Sequence, residues 1–139
     1  MAVCLKKGKW IYMNNEFKIK RCEKCGAIVK VIEDCHCDNC GIKCCGEQMK
    51  ELVPNSVDAA VEKHVPTYEV KDGKLFIKVN HVMEEDHFIE WISVVSDNKE
   101  ITTYFKPGEE AGAHCCKYVP GTIIYSYCNK HGLWKIEVE

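Results

Sequence analysis

The sequence predicts a mostly β chain in two units, a small metal-bound domain followed by an antiparallel β-sandwich. Three observations predict it. Seven of the eleven cysteines crowd between Cys22 and Cys45, in a stretch with little aliphatic material for a core of its own. Five of the six histidines lie beyond that stretch. The second part is built of short β-branched and aromatic runs separated by turn signals, and no helix-length amphipathic pattern competes with them. The expected layout is an extension over residues 1–17, a four-cysteine domain over 18–52 and a sandwich domain over 53–139.

The elements follow in order. Lys9-Trp10-Ile11-Tyr12-Met13 reads as a strand or docking arm. A segment as short as the cysteine-rich one needs a metal, a disulfide or a partner to stay folded. Leu52-Val53-Pro54-Asn55-Ser56 has the Pro and Asn of a linker or turn. Tyr68–Lys71 and Lys74–Val79 flank Asp72-Gly73, which accepts the positive φ of a tight hairpin turn. Phe88–Val95 forms a long strand ending at Ser96-Asp97-Asn98. Ile101–Phe105 forms another, closed by Lys106-Pro107-Gly108, and Thr122–Tyr127 and Trp134–Val138 complete the set. Short strands at this spacing favour a sandwich. His114-Cys115-Cys116 reads as strand or loop structure, and Cys4 as a free thiol.

Composition narrows the function. The formal net charge is -2 and charged residues make up 29% of the chain, which argues against nucleic-acid backbone as a partner. No apolar run approaches the length of a membrane span. Met1-Ala2-Val3-Cys4-Leu5-Lys6-Lys7 has no following apolar region, so a signal peptide is not expected and a cytoplasmic, reducing location is. There stable disulfides are rare, and an odd cysteine count cannot pair fully within one chain. Metal ligation is therefore expected over disulfides.

Cys22-Glu23-Lys24-Cys25 is a C-x-x-C knuckle, with Gly26 where a positive φ is useful. A tetrahedral thiolate site needs a second pair. Cys37-Asp38-Asn39-Cys40 and Cys44-Cys45 both qualify, and spacing alone does not decide between them. Four further stretches bear imidazoles. They are Glu62-Lys63-His64-Val65-Pro66, the run from His81 through His87 to Trp91, Lys106-Pro107-Gly108, and Cys128-Asn129-Lys130-His131-Gly132-Leu133-Trp134. Each is weak alone.

Together these stretches resemble the desulfoferrodoxin-type, two-iron superoxide reductases, over about residues 18–139. The resemblance implies a desulforedoxin-like domain followed by an immunoglobulin-like sandwich. It implies two iron ions per chain: one on Cys22, Cys25, Cys44 and Cys45, the other on His64, His81, His87 and His131 with Cys128 as axial thiolate. The loop between the two cysteine pairs is longer than the family's and carries Cys35, His36, Cys37 and Cys40, which become spare thiols or a further metal or redox site. Val82 replaces a proline common in the family.

The implied activity is reduction of superoxide to hydrogen peroxide, with a rubredoxin-like electron donor and a homodimeric assembly. Glu62 and Lys63 match the family's mobile acidic and basic pair: Lys63 attracts the anion and holds a proton-donating water, and Glu62 helps displace the product. Imidazole with thiolate suits iron better than magnesium or calcium, and five ligands leave one octahedral position open. An axial thiolate pushes electron density toward that position. Two other readings compete: a rubredoxin- or desulforedoxin-type electron-transfer protein without catalysis, and a colourless zinc-ribbon binding module using Cys37 and Cys40.

Overall fold

A computed structural model describes residues 2–4, 10–12, 18–96 and 99–139; the side chains of residues 2–4, 10–12, 114 and 115 fall outside that description. The thiols of Cys4 and Cys115, the ends of the Lys9–Met13 segment and the turn at Asp97-Asn98 therefore lie outside the described residues. The chain divides into two compact units, Phe17–Val53 and Pro54–Glu139, the latter together with Met1–Glu16. A short hairpin, β1 (Ala2–Cys4) with β2 (Trp10–Tyr12), belongs with the larger unit.

The small unit is a set of minimal strands. β3 (Lys18–Arg21) pairs with β4 (Ile28–Val31) across the Cys22–Ala27 turn, and also with β7 (Lys50–Glu51). β5 (Lys43–Cys44) and β6 (Glu47–Gln48) form a second hairpin. Among the unit's described apolar side chains only Ile19, Cys22 and Met49 are buried. That is too little apolar surface to fold such a segment without a cross-link. Asp34 adds a polar brace, with Lys18 Nζ at 2.8 Å and Lys20 Nζ at 3.1 Å. These two ammonium groups, Lys18 first, hold its carboxyl well below the usual carboxylate range.

The larger unit is a sandwich of seven strands. β8 (Thr67–Lys71), β9 (Lys74–Lys78) and β12 (Gly112–Lys117) make one sheet in the order β12-β9-β8. β10 (Ile89–Ser96), β11 (Lys99–Tyr104), β13 (Ile123–Cys128) and β14 (Gly132–Glu137) make the other, in the order β11-β10-β13-β14. All pairings are antiparallel. Three strands facing four in this order is the immunoglobulin-like arrangement. Inward residues of both sheets, Leu75, Ile77 and Ala113 from one and Ile92, Val94 and Ile124 from the other, share one core. β9 shows why: Leu75 and Ile77 are buried and their neighbours exposed, the period-two pattern of a half-buried strand.

The expected Asp72-Gly73 hairpin forms, with φ of 50° and 72° at the two turn residues. The remaining predicted runs are strands to within a few residues. β12 is the strand whose sequence signals it least, Gly-Ala-His-Cys-Cys-Lys having no β-branched residue. Its pairing decides it: a Cβ at Gly112 would lie 3.1 Å from the Ile77 carbonyl, so close approach favours glycine there. The only helical turn among the described residues is a 3-10 turn, Val61–Lys63.

Ile124, the second residue of β13, is fully buried. Ile124→Ala should cost about 2–5 kcal/mol, read as a lower urea midpoint with tryptophan fluorescence as the probe.

Candidate metal centres

In the small unit the two cysteine pairs come from two turns. The Cys22 N–H donates to the Ala27 carbonyl and the Gly26 N–H to the Cys22 carbonyl, each at 2.9 Å. Gly26 has φ of 77°, as the knuckle requires. Opposite it, Cys45 and Gly46 form the two-residue turn of the β5–β6 hairpin, with φ of 52° and 78°. A non-glycine residue is uncommon in that conformation. The strain at Cys45 lets two adjacent thiols face one point.

The four sulfurs of Cys22, Cys25, Cys44 and Cys45 lie within 4.8 Å of one another. Cys25 Sγ is 3.7 Å from Cys44 Sγ, and Cys44 Sγ is 3.9 Å from Cys45 Sγ. A tetrahedron with metal–sulfur bonds of about 2.3 Å has edges of about 3.8 Å, so the cluster is already spaced for one ion. Backbone N–H groups, Cys25 first and then Lys24, lower the Cys22 thiol to about 7. Its sulfur neighbours, Cys25 foremost, push Cys44 up to about 12. Four thiolates side by side repel one another, and a cation removes that conflict.

Cys37 and Cys40 are not part of this cluster. They are joined in a disulfide. This corrects the expectation of metal over disulfides for that pair, and it removes the alternative in which they complete the thiolate site. Their Cα atoms are 5.6 Å apart, a normal disulfide span. The neighbouring donors are engaged elsewhere, Cys35 with Asp34 and His36 with Glu33.

The second cluster stands at one end of the sandwich. His64 ends the 3-10 turn, His81 and His87 lie on the loop between β9 and β10, Cys128 ends β13, and His131 precedes β14. Their ligand atoms lie within 4.8 Å of one another. The four rings form a closed circuit, edge to face: His64 to His81 at 4.8 Å, His81 to His87 at 4.6 Å, His87 to His131 at 5.0 Å and His131 to His64 at 4.8 Å between centroids.

Backbone carbonyls select the nitrogen that two of the rings offer. His64 Nδ1–H donates to the Ala60 carbonyl at 2.7 Å, and His81 Nδ1–H to the Val82 carbonyl at 2.5 Å. Both rings therefore present Nε2 inward. His131 presents Nδ1, 2.9 Å from His64 Nε2 and 3.3 Å from His87 Nε2. Metal bonds of about 2.1 Å at right angles place nitrogens about 3.0 Å apart. Cys128 Sγ is 3.4 Å from His81 Nε2 and 3.8 Å from His131 Nδ1.

Cys128 is fully buried and His64 nearly so, while the other three rings are part-exposed. The sulfur thus sits on the inner side of the imidazole square. Burial raises the Cys128 thiol, opposed by the backbone N–H groups of Lys130 and His131. Burial also lowers His81 and His87, chiefly by desolvation, and keeps them neutral and able to ligate.

Several residues position the ligands. Asn129 Oδ1 accepts the Phe88 N–H at 3.0 Å and its Nδ2 donates to the Asp86 carbonyl at 2.9 Å, tying the His87 loop to the Cys128 loop. Trp134 stacks on His64 at 4.9 Å and donates through Nε1 to the His131 carbonyl. Ser126 Oγ donates to the His64 carbonyl at 2.7 Å. The Gly108 N–H donates to the Met83 carbonyl at 2.7 Å, so Lys106-Pro107-Gly108 pins the histidine loop. Asn129 and Trp134 sit inside the Cys128–Trp134 motif, which was the available signal for them; Ser126 had none. Glu62 and Lys63 stand exposed on the turn just before His64 and are not among the clustered groups.

Residues 56–137 match the desulfoferrodoxin family model. The chain belongs to the desulfoferrodoxin family. Family members include the desulfoferrodoxin of Desulfarculus baarsii, 40% identical over 131 residues that cover 90% of this chain and 99% of that one. The desulfoferrodoxin of Nitratidesulfovibrio vulgaris is 38% identical over 128 residues, covering 90% and 99%. The crystal structure of the superoxide reductase from Treponema pallidum aligns with a TM-score of 0.64 and 20% identity, over 88% of this chain and 99% of that chain. That likeness shows the fold. The family resemblance and the mostly β architecture are thus borne out. The donor sets fit the two irons of a desulfoferrodoxin, four thiolates on one and four imidazoles with a thiolate on the other.

Cys22→Ser should remove the iron of the four-cysteine cluster and its thiolate-to-metal absorption, leaving the other iron in place. Metal analysis falling from two ions to one per chain checks this.

Proposed function

We propose that this desulfoferrodoxin-family chain is a superoxide reductase, in which superoxide takes up one electron and two protons and leaves as hydrogen peroxide. The observation that carries the reading is the closed square of imidazoles beside a buried thiol, with three of the four rings part-exposed. Bound iron supplies the one-electron change between its ferrous and ferric states. The residues of the chain do the rest.

His64, His81, His87 and His131 would hold the metal, the outward ring nitrogens of His64 and His81 being tied to backbone carbonyls. Cys128 supplies negative charge from the side away from substrate, and full burial shields its sulfur from the peroxide formed. Lys63 answers an electrostatic problem: the chain carries a formal charge of -2, yet the substrate is an anion. An exposed ammonium one residue before His64 attracts superoxide locally, with a salt-dependent rate, and orders a water that delivers a proton. Glu62, beside it, repels the incoming anion less when turned to solvent and assists product departure when turned to the site.

Re-reduction comes from a small rubredoxin-like electron carrier, and the active assembly is a homodimer in the cytoplasm. No helix among the described residues is long and apolar enough to cross a membrane. A pure electron-transfer role would use the four-cysteine cluster but leaves the imidazole square without a task.

Reduced protein mixed with a pulse of superoxide should form one hydrogen peroxide per superoxide and no dioxygen. Dioxygen release would mean dismutation and would overturn the reading. Lys63→Ala should slow this second-order step by about tenfold or more at low ionic strength and flatten its dependence on salt; an unchanged rate removes Lys63 from the mechanism.

A further inference from the structure

Three cysteines in one short loop, Cys35, Cys37 and Cys40, belong to neither metal cluster. All six residues of the 35–40 loop are exposed. Cys37 and Cys40 are bridged across two residues, Asp38 and Asn39.

The bridge joins two exposed residues and anchors no buried side chain. The loop is held at its base by other means. On one side, Asp34 takes Lys18, Lys20 and the Cys35 N–H. On the other, Gly41 packs against the Gln48 side chain and the Met49 N–H donates to the Ile42 carbonyl at 2.8 Å. No residue of the loop is buried. A ring closed over two residues also restricts the unfolded chain far less than a long loop does. A disulfide that neither supports a core nor closes a long loop contributes little as a structural staple. An exposed pair at C-x-x-C spacing has the form of an exchangeable one, because either sulfur can be attacked and both can meet again without moving their anchors.

We propose that Cys37 and Cys40 form a reversible dithiol/disulfide couple, separate from both metal clusters, which is reduced by a dithiol and reoxidised by hydrogen peroxide. In the reducing half, a thiolate of the dithiol attacks one sulfur of the bridge. The Cys37–Cys40 bond breaks and a mixed disulfide forms. The second thiol of the reductant then attacks the reductant's own sulfur in that mixed disulfide and expels the protein thiolate, so two electrons and two protons reach the pair and the reductant leaves as a disulfide. In the oxidising half, one thiolate of the pair attacks a peroxide oxygen. The O–O bond breaks, leaving a sulfenic acid on the protein and releasing one water after protonation. The second thiol attacks that sulfur, expels the oxygen as a second water and restores the bridge. Only the source of the peroxide rests on the superoxide reductase reading; the exchange chemistry does not.

The test uses the full chain with its metals, differential alkylation and peptide mass mapping, with dithiothreitol and added hydrogen peroxide as probes. Dithiothreitol should open the Cys37–Cys40 bridge, leaving those two cysteines alkylatable while the iron thiolates stay protected. One equivalent of peroxide should close it. Cys37→Ser and Cys40→Ser should each abolish the two-electron step, whereas Cys35→Ser should keep it. The thiolate-to-iron absorption should be unchanged in all three. A bridge that resists excess dithiothreitol overturns the proposal, as does a reduced pair that peroxide does not close. A third metal ion per chain that is lost in Cys37→Ser would make the loop a metal site instead. Loss of the thiolate-to-iron absorption in Cys37→Ser would make the bridge structural. Because peroxide is added directly, these outcomes do not depend on whether the protein reduces superoxide.

Discussion

In β13, Cys128 lies opposite Ile89 of β10 on one side and opposite Gly132 of β14 on the other. That register brings the ends of three strands to one edge of the sheet. It sets His87, two residues before Ile89, and His131, one before Gly132, beside the thiol. A slip of one residue would turn every side chain of β13 to the opposite face. The core opposes the slip: Ile124 and Cys128 belong to it, and a slip would put Ile123, Tyr125 and Tyr127 in their places. The irregularity in pairing between Ile89 and Trp91 falls at this same end, where the strand gives way to the histidine loop. The hydrogen bonds of Ser126 to the His64 carbonyl and of Asn129 to both sides of the His87 loop then fasten the remaining ligands to that frame. The site is thus an outgrowth of the core.

The two metal centres solve opposite problems. The sandwich has a core and can hold its ligands nearly in place, so its metal serves chemistry. Its sulfur is hidden, and burial favours the neutral form of His81 and His87. Among its described residues the small unit has three buried apolar side chains, and its cross-links must do what a core does elsewhere. There the ligands come from turns, and Cys45 adopts a left-handed conformation to bring its sulfur inward. Binding of the ion offsets that strain and the crowding of four thiols. The exposed Cys37–Cys40 pair in the same unit does neither job, which separates it from both centres.

Much of this was legible in the sequence because the signals are local. Asp72-Gly73 needs positive φ wherever it occurs, and the alternation in Lys74–Lys78 declares one buried face. The Cys22–Cys25 knuckle and the Cys128–His131 pair are short chelating motifs whose chemistry is carried by residue type and spacing. Other features were hidden because they depend on a neighbour from far along the chain. β12 is a strand through its pairing with β9, and Ser126 matters through a carbonyl 62 residues away.

Taken by itself, the sequence determined the composition of each centre, the mostly β character and the family, since these follow from residue types and near-neighbour spacing. Spacing alone left both Cys37 with Cys40 and Cys44 with Cys45 open as the second thiolate pair; the family resemblance pointed to Cys44 with Cys45, and the tertiary structure brings that pair to the knuckle. The reason is geometric: only the Cys45-Gly46 turn aims two sulfurs at the Cys22–Cys25 knuckle, while the other pair faces itself in an exposed loop. The closed circuit of four imidazoles, the nitrogen that each offers and the burial of the thiolate beneath them were likewise decided only when antiparallel pairing brought residues 64, 81, 87, 128 and 131 to one place.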